Sequence, residues 1–365
     1  MLRILAIEPY YGGSHKAFLD GYRAHSRHEL ELLTMPARKW KWRMRGSALH
    51  VACLLEGLDA DAILASDYLD LAALAGLRAW HLGHIPRAAY FHENQLTYPL
   101  PEGQDRDYHY GFTNITSCLA ADRVIFNSRY HLESFLDAAA DLLRRMPDCV
   151  PDGVTGRIRD RSLVIPVGAD LEGIDRLRLT AEPRRGPLRI LWNHRWEFDK
   201  APDAFFEAAA RLDAAGCEFE LVVTGQTFRT QPAVFDEARQ RFARRLRAFG
   251  YIEDRQDYLR ALLESDVVVS TAIHEFFGLA VVEAVYAGCV PLLPARLSYP
   301  EILPAHLHSA HLYNTPDELF ERLRRWAERP EAVRAMDLRD AVREFGWDRV
   351  APRLDAVMEE LAEEA

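Results

Sequence analysis

The fold turns on residues 274–291, His274-Glu275-Phe276-Phe277-Gly278-Leu279-Ala280-Val281-Val282-Glu283-Ala284-Val285-Tyr286-Ala287-Gly288-Cys289-Val290-Pro291. A valine-rich run at 267–270 precedes this stretch, and a second apolar run at 290–293 closes it. Strand, loop, helix and strand in that order form the unit of a parallel α/β sheet. Glu275 falls in the loop. Phe277, Gly278 and Leu279 open the helix, where backbone N–H groups without intrahelical partners favour an anion such as a pyrophosphate. Glu283 lies two turns in, on a face able to reach a ribose diol, whose hydroxyls suit a carboxylate acceptor. Gly288 and Pro291 end the helix before the next strand.

Read outward from there, short apolar runs alternate with helical patterns along the whole chain. The first half offers candidate strands at 2–8, 29–34, 62–65, 88–91, 123–127 and 163–167, with helices such as 47–58 and 129–145 between them. The Pro/Gly/Arg-rich segment 182–187 reads as a linker. The alternation restarts at 188–192, 218–223, 249–252, 267–270 and 290–293, and the chain ends in an amphipathic helix, 349–364. The fold expected is α/β, two doubly wound Rossmann-like domains facing a central cleft. The domains are 1–180 and 187–345, with 346–365 packing back on the first. Ligands of such sheets sit at the carboxyl ends of strands.

Those ends carry the candidate chemistry. Trp192-Asn193-His194-Arg195-Trp196-Glu197-Phe198-Asp199-Lys200 follows the first strand of the second half. Fixed cations there would stabilise the charge that builds on a departing phosphate. Thr224 and Gly225 end a strand nearby, and Gly250-Tyr251-Ile252 leaves another, with Tyr251 readable as core or as base contact. In the first half, Glu8-Pro9-Tyr10-Tyr11-Gly12-Gly13-Ser14-His15-Lys16 is a glycine-rich loop that lets backbone approach a ligand. His92-Glu93-Asn94-Gln95 places four polar groups in a row after a strand, which is costly to bury without a role. Residues 36–45 interleave Arg38, Lys39, Lys41, Arg43 and Arg45 with Trp40 and Trp42. That composition suits phosphates and unstacked bases.

Composition narrows the classes. Of 365 residues, 49% are hydrophobic and 27% charged, ordinary for a globular protein, and the length suits two cores. The net charge is −10, so nucleic acid would have to be held by a local patch rather than by bulk charge. Lysine occurs only at 16, 39, 41 and 200. The five cysteines are scattered, which argues against a zinc site or disulfide framework and fits a reducing cytoplasm. No apolar run approaches the ~18–20 residues that span a bilayer. The start of the chain shows no signal-peptide pattern. No Asp-x-Asp motif lies at a strand end, so no divalent metal and no other cofactor is expected.

Glu275 and Glu283, with seven residues between them and Gly-x-Pro following, resemble the donor-site signature of the retaining GT-B glycosyltransferases that include sucrose synthase and phosphatidylinositol mannosyltransferase. That resemblance implies that Glu275 contacts the transferred sugar and Glu283 the ribose. It implies that Arg195 and Lys200 neutralise the diphosphate, and that the Gly12–Gly13 loop faces the donor phosphates and the acceptor. It also implies that His92 lies near the sugar and Tyr251 near the base. The segments 11–16, 36–43, 91–99, 106–111, 124–128 and 274–278 together resemble a narrower group, the tRNA-queuosine α-mannosyltransferase family. This implies a nucleotide-sugar donor, GDP-mannose, and a tRNA anticodon loop as partner. Mannose would pass with retention to the cyclopentene-diol of queuosine. Two rivals remain at this level: a lipid or small-molecule acceptor, and a catalytically inactive tRNA-binding module. Oligomeric state is not legible.

Overall fold

A computed structural model describes residues 1–55, 59–78, 84–101, 103–180, 182–228 and 231–364. The chain divides into two compact units, Met1–Gly168 with Trp347–Ala365, and Ala169–Gly346.

Unit 1 is a parallel sheet of β1 (Arg3–Tyr11), β2 (Glu29–Pro36), β3 (Ala62–Ser66), β4 (Arg87–Phe91), β5 (Arg123–Phe126) and β6 (Ser162–Val164), ordered β2-β1-β3-β4-β5-β6. Its helices are α1 (Gly13–His25), α2 (Trp40–Leu54), α3 (Leu71–Leu77), α4 (Tyr108–Ala120), α5 (Arg129–Arg144) and α6 (Val154–Asp160). β1 and β3 are buried almost end to end, as strands covered on both faces must be. Caps fix where helices begin: Ser128 accepts from the His131 N–H, and Asp107 from that of His109. The C-terminal helix Trp347–Glu364 belongs to this unit. Its buried Asp355 accepts from Tyr22 Oη at 2.9 Å and from the Arg27 N–H at 3.0 Å. The Trp347 ring lies over Gly21 and Gly168, where a Cβ would come within 2.2 and 2.3 Å of it.

Unit 2 begins with α7 (Leu171–Arg178) and carries β7 (Leu188–Asn193), β8 (Phe219–Thr224), β9 (Leu246–Gly250), β10 (Val267–Val269), β11 (Val290–Pro294) and β12 (Leu312–Tyr313). The parallel order is β12-β11-β10-β7-β8-β9. α8 (Pro202–Ala214), α9 (Val234–Arg241), α10 (Arg255–Leu263) and α11 (Leu279–Ala287) cover it. Its core gathers Trp192, Phe205, Phe219, Phe235, Val269 and Leu292.

Several expectations shift. The boundary falls at Gly168/Ala169 rather than within 182–187, because α7 packs into unit 2: Arg178 bonds the Tyr286 carbonyl and Tyr286 Oη donates to Asp175. The supposed linker is anchored there too, with Arg184 donating to the Ser265 and Gly288 carbonyls. The helix expected at 47–58 starts at Trp40, because Lys39 turns the chain with a left-handed φ of 56°. Its expected end, 56–58, lies outside the described residues. The strand expected at 249–252 is β9, which ends at Gly250 with φ 129°. No described helix is long and apolar enough to cross a membrane.

Candidate active site

Each sheet has a switch point, where the chain leaves on one side of its first strand and returns on the other. In doubly wound sheets that is where ligands bind. In unit 2 it lies between β7 and β10, and the loops leaving them are tied together. The Ile273 and His274 N–H groups donate to the Asp199 carbonyl at 2.9 and 3.2 Å, and Thr271 Oγ1 donates to the Lys200 carbonyl at 2.9 Å. This brings Lys200 to Glu275. Buried Lys200 donates from Nζ to the His274 carbonyl at 2.7 Å, and sits 3.3 Å from Glu275 Oε2 and 3.2 Å from Asp199 Oδ2. Arg195 pairs with Glu197 at 3.0 Å and lies 3.7 Å from Asp199. Both expected phosphate cations are therefore matched to acids already. Asp199 is held by charge, since among the described residues neither of its buried oxygens has a hydrogen-bond partner.

Burial raises the Glu275 carboxyl, but Lys200 first, then His194, His274 and Arg195, hold it at about 2. Glu275 is thus a carboxylate, an acceptor for hydroxyl groups. Burial, aided by Lys200, pushes His194 and His274 down to about 4, so both imidazoles are neutral at pH 7. Gly278 caps α11 with φ 102°, and Ser298 Oγ donates to the Phe277 carbonyl at 2.9 Å. The first turn of α11, from Leu279, thus starts beside Glu275, with N–H groups suited to an anion.

Glu283 is buried in a cluster that includes two residues the sequence did not single out. Arg255 pairs with it, and Tyr258 Oη is 3.4 Å away. Asn193 Nδ2 donates to Tyr258 Oη at 3.1 Å. Thr224 is buried at the end of β8. Gly225 serves packing: a Cβ would come within 1.8 Å of the His194 carbonyl oxygen. Tyr251 is not core but 59% exposed, beside a pocket lined by Trp196, Phe249 and Arg239.

In unit 1 the switch point lies between β1 and β3. Glu8, at the end of the buried β1 run, accepts from the Tyr10 N–H at 2.8 Å and Ser66 Oγ at 2.9 Å, and pairs with His15 Nδ1 at 2.9 Å. The His15 and His92 rings are 4.2 Å apart. Burial opposes charge on His15, but Glu8, with Asp67 and Glu93, raises it to about 9. Burial and the neighbouring His15 push His92 well below its ordinary value, so His92 is neutral. Burial lifts Asp67 to about 8; its Oδ1 accepts the His92 N–H at 2.9 Å.

Around this pair, Glu93 accepts from Tyr68 Oη at 2.7 Å and from Gln95 Nε2 at 2.9 Å. Asn94 is fully buried and shapes its own loop, with Oδ1 accepting the Leu96 and Thr97 N–H groups. That gives Asn94 a structural duty within its own loop. Gly12 packs its backbone on Ala37, where a Cβ would lie 2.4 Å from that residue's Cβ. Gly13, with φ 53°, and Ser14 are exposed, and Lys16 is tied to Asp20. Among the described residues, Glu8, His15 and His92 hold possible ligand atoms within 4.8 Å of one another. All three inward contacts of Glu8 are taken by protein donors, which fits an ion pair better than a metal shell.

The basic stretch opens α2. Arg38, Lys39, Lys41 and Arg45 are exposed, whereas Arg43 folds back onto the Pro36 carbonyl at 3.2 Å. Trp42 is 64% exposed, but Trp40 is half-buried against Tyr110 and Tyr68.

Comparison with known proteins agrees with this division. Residues 3–169 match the family profile described as tRNA-queuosine alpha-mannosyltransferase N-terminal, and 179–344 match Glycosyl transferases group 1. The chain is 38% identical over 362 residues to the tRNA-queuosine alpha-mannosyltransferase of Drosophila melanogaster, covering 96% of this chain and 93% of that one. It is 25% identical over 376 residues to a GDP-mannose-dependent alpha-(1-6)-phosphatidylinositol dimannoside mannosyltransferase of Mycobacterium tuberculosis, covering 97% and 90%. Among solved structures, sucrose-phosphate synthase of Thermosynechococcus elongatus superposes with a TM-score of 0.73 at 15% identity over the full length of both chains. Anabaena HepE, in complex with UDP and glucose, gives 0.68 at 16% identity, covering 99% of this chain and 100% of its own. The fold is GT-B, and the chain belongs to the tRNA-queuosine alpha-mannosyltransferase family of glycosyltransferases.

Proposed function

We propose that this chain transfers mannose from GDP-mannose, with retention, to the cyclopentene-diol of queuosine at the wobble position of tRNA, in the cytoplasm and without a divalent metal. The observation that carries the reading is the Lys200–Glu275 contact at 3.3 Å beside the start of α11, within a chain of this family. The Drosophila relative has the acceptor in its name, and the Mycobacterium relative has the donor in its name.

The chemistry follows from charge. Lys200, Arg195 and the first N–H groups of α11 take the diphosphate and stabilise the charge it gains as the bond to the sugar breaks. The acids already around the two cations give up part of their pairing when the phosphates arrive. Ionised Glu275 accepts hydrogen bonds from sugar hydroxyls and favours the positive charge that builds on the ring. Glu283 takes the ribose. Glu275 and Asp199 are both tied to Lys200, so neither resembles the free nucleophile of a retaining glycosidase. Front-face attack, with the leaving phosphate accepting the acceptor's proton, fits better.

The test incubates the purified chain with GDP-mannose and queuosine-containing tRNA in the presence of EDTA, followed by nucleoside mass spectrometry. A hexose added to queuosine supports the proposal. Hexose passing only to a lipid or small molecule overturns the acceptor. Transfer only from another sugar nucleotide overturns the donor, and transfer abolished by EDTA overturns the metal-free reading.

A further inference from the structure

Unit 1 carries a second cation–aromatic group, on a different element from the basic start of α2 and touching it. The Trp40 ring lies 5.1 Å from that of Tyr110, in the first turn of α4, and the Arg45 guanidinium sits 5.1 Å over the same Tyr110 ring. Lys41 lies over Trp40 at 5.6 Å. Two residues before Tyr110, Tyr108 is 40% exposed, and Arg145, just past α5, lies 5.0 Å over its ring and donates to its hydroxyl at 3.0 Å. Phe112, one turn along from Tyr108 on the same face of α4, is 38% exposed.

Charge marks this group. Many arginines of this acidic chain are neutralised by a carboxylate, as Arg27 is by Glu359, Arg159 by Glu133, Arg189 by Glu220 and Arg334 by Asp266. Among the described residues, Arg38, Lys39, Lys41, Arg43, Arg45 and Arg145 enter no ion pair; Lys41 and Arg45 lie over aromatic faces, Arg43 on a carbonyl, and Arg145 on the Tyr108 ring and hydroxyl and a carbonyl. Unpaired cations interleaved with exposed rings complement a polyanion that also offers flat apolar faces, which is single-stranded nucleic acid. A purely acidic protein surface would meet the cations but leave Trp42, Tyr108 and Phe112 without a partner.

We propose that Tyr108, Phe112 and Arg145 form a second RNA contact, continuous through Tyr110 and Arg45 with the start of α2, which takes an unpaired nucleotide of the tRNA loop and its phosphate. This rests on the tRNA acceptor proposed above. A base stacks on the exposed Tyr108–Phe112 face while Arg145, held by the Tyr108 hydroxyl, meets the phosphate.

The test measures tRNA binding by fluorescence anisotropy across a salt series. It compares the wild type with Trp42→Ala, the pair Tyr108→Ala/Phe112→Ala, and Arg145→Ala, checking each variant's melting temperature. The aromatic pair should weaken binding about 10-fold, the scale of losing one stacked base. Arg145→Ala should reduce the salt slope by about 0.7, the share of one phosphate contact on a single strand. Because Phe112 is a surface residue, Phe112→Tyr beside native Tyr108, which keeps both rings and the hydroxyl that holds Arg145, should bind tRNA as the wild type does. If Trp42→Ala weakens binding while the α4 and Arg145 variants match wild type, the second contact is overturned and the acceptor reading stands. If the wild type binds no tRNA, the acceptor reading itself fails.

Discussion

His15 Nδ1 lies 2.9 Å from Glu8 Oε2, and the two side chains are only 6% and 1% exposed. With Glu8, Asp67 and Glu93 around it and neutral His92 against its ring, His15 is raised to about 9, so the folded state holds a proton that an unfolded histidine begins to lose near 6.5. The stabilisation is fully present below pH 6.5 and is lost as pH rises through 9. It amounts to about 3 kcal/mol at the acid end of that window. Asp67 interacts with His15, and burial raises its carboxyl, so the fold favours its protonated form and loses that advantage as pH climbs. Melting of unit 1 should therefore fall between pH 6.5 and 9.5. Glu8→Gln should lower the melting temperature at pH 6.5 and flatten the fall, and NMR titration should find the His15 imidazole protonated at pH 8 in the wild type and neutral there in this variant. A wild-type melting temperature that is flat across this window would contradict the pairing.

The cations of unit 2 should separate by burial. Lys200 neutralises two acids from a buried position, so Lys200→Ala removes their shared cation, leaves Asp199 only the longer Arg195 contact at 3.7 Å, and should destabilise by about 3–5 kcal/mol. Its activity loss will mix folding with chemistry. Arg195 is 39% exposed and pairs mainly with Glu197, which is itself partly exposed. Arg195→Ala should thus keep the melting temperature within a few degrees while turnover at saturating donor falls roughly 100-fold, the scale for losing one group that stabilises charge in the transition state. Differential scanning calorimetry and single-turnover transfer on both variants check this. Unchanged turnover in Arg195→Ala would remove that residue from the phosphate site.

Gly225 joins the end of β8 to the β7 loop. Its φ of 149° is open to glycine, and an added Cβ would meet the His194 carbonyl oxygen at 1.8 Å. Gly225→Ala must push apart the backbone that carries Arg195 and Lys200. We expect a melting temperature lower by several degrees, the scale of a 1–2 kcal/mol loss in a domain of this size, together with a raised donor Michaelis constant. Normal donor affinity in this variant would show that the two loops are not coupled.

What was legible in the sequence was local. Residues 274–291 form loop, helix and strand in one run, so the periodicity and the Gly278 and Gly288 punctuation could be read directly. The strands of both sheets were apolar runs with few competitors. What was missed is non-local. Arg255 and Tyr258 meet Glu283 only because α10 packs against α11, and Ser66 meets Glu8 across 58 residues of chain. The Glu8–His15 pair left one trace, a carboxylate placed directly after the buried run Ile4–Ile7, whose cost had to be met by a partner. Pro183 and Gly186 misled because breakers report where the chain turns, not which body a segment packs on. The turn that the buried Asn94 amide closes is likewise not visible in the sequence, which shows only a run of polar groups.

The two tryptophans at the start of α2 should part company, although the sequence presents them alike. Trp42 lies along the surface of its own helix, over Gly46, where a Cβ would come within 2.7 Å of the indole, and most of its ring faces solvent. Trp42→Ala should leave the melting temperature unchanged and raise the tRNA Michaelis constant about 10-fold, as one stacked base would. Trp40 is half-buried between Tyr68 and Tyr110, so its removal opens a gap beneath α2 and leaves Tyr110 without its neighbour. Trp40→Ala should cost about 1–3 kcal/mol in stability, less than a fully buried tryptophan, and should weaken tRNA binding indirectly through the displaced helix. Trp40→Phe, which keeps an aromatic ring between the two tyrosines, should recover most of both losses. The measurement pairs thermal melts with tRNA transfer kinetics on each variant. If Trp42→Ala destabilises the fold while Trp40→Ala does not, the placement of the two rings is wrong. If neither variant changes the tRNA Michaelis constant, this patch is a solvated helix end and the acceptor is held elsewhere.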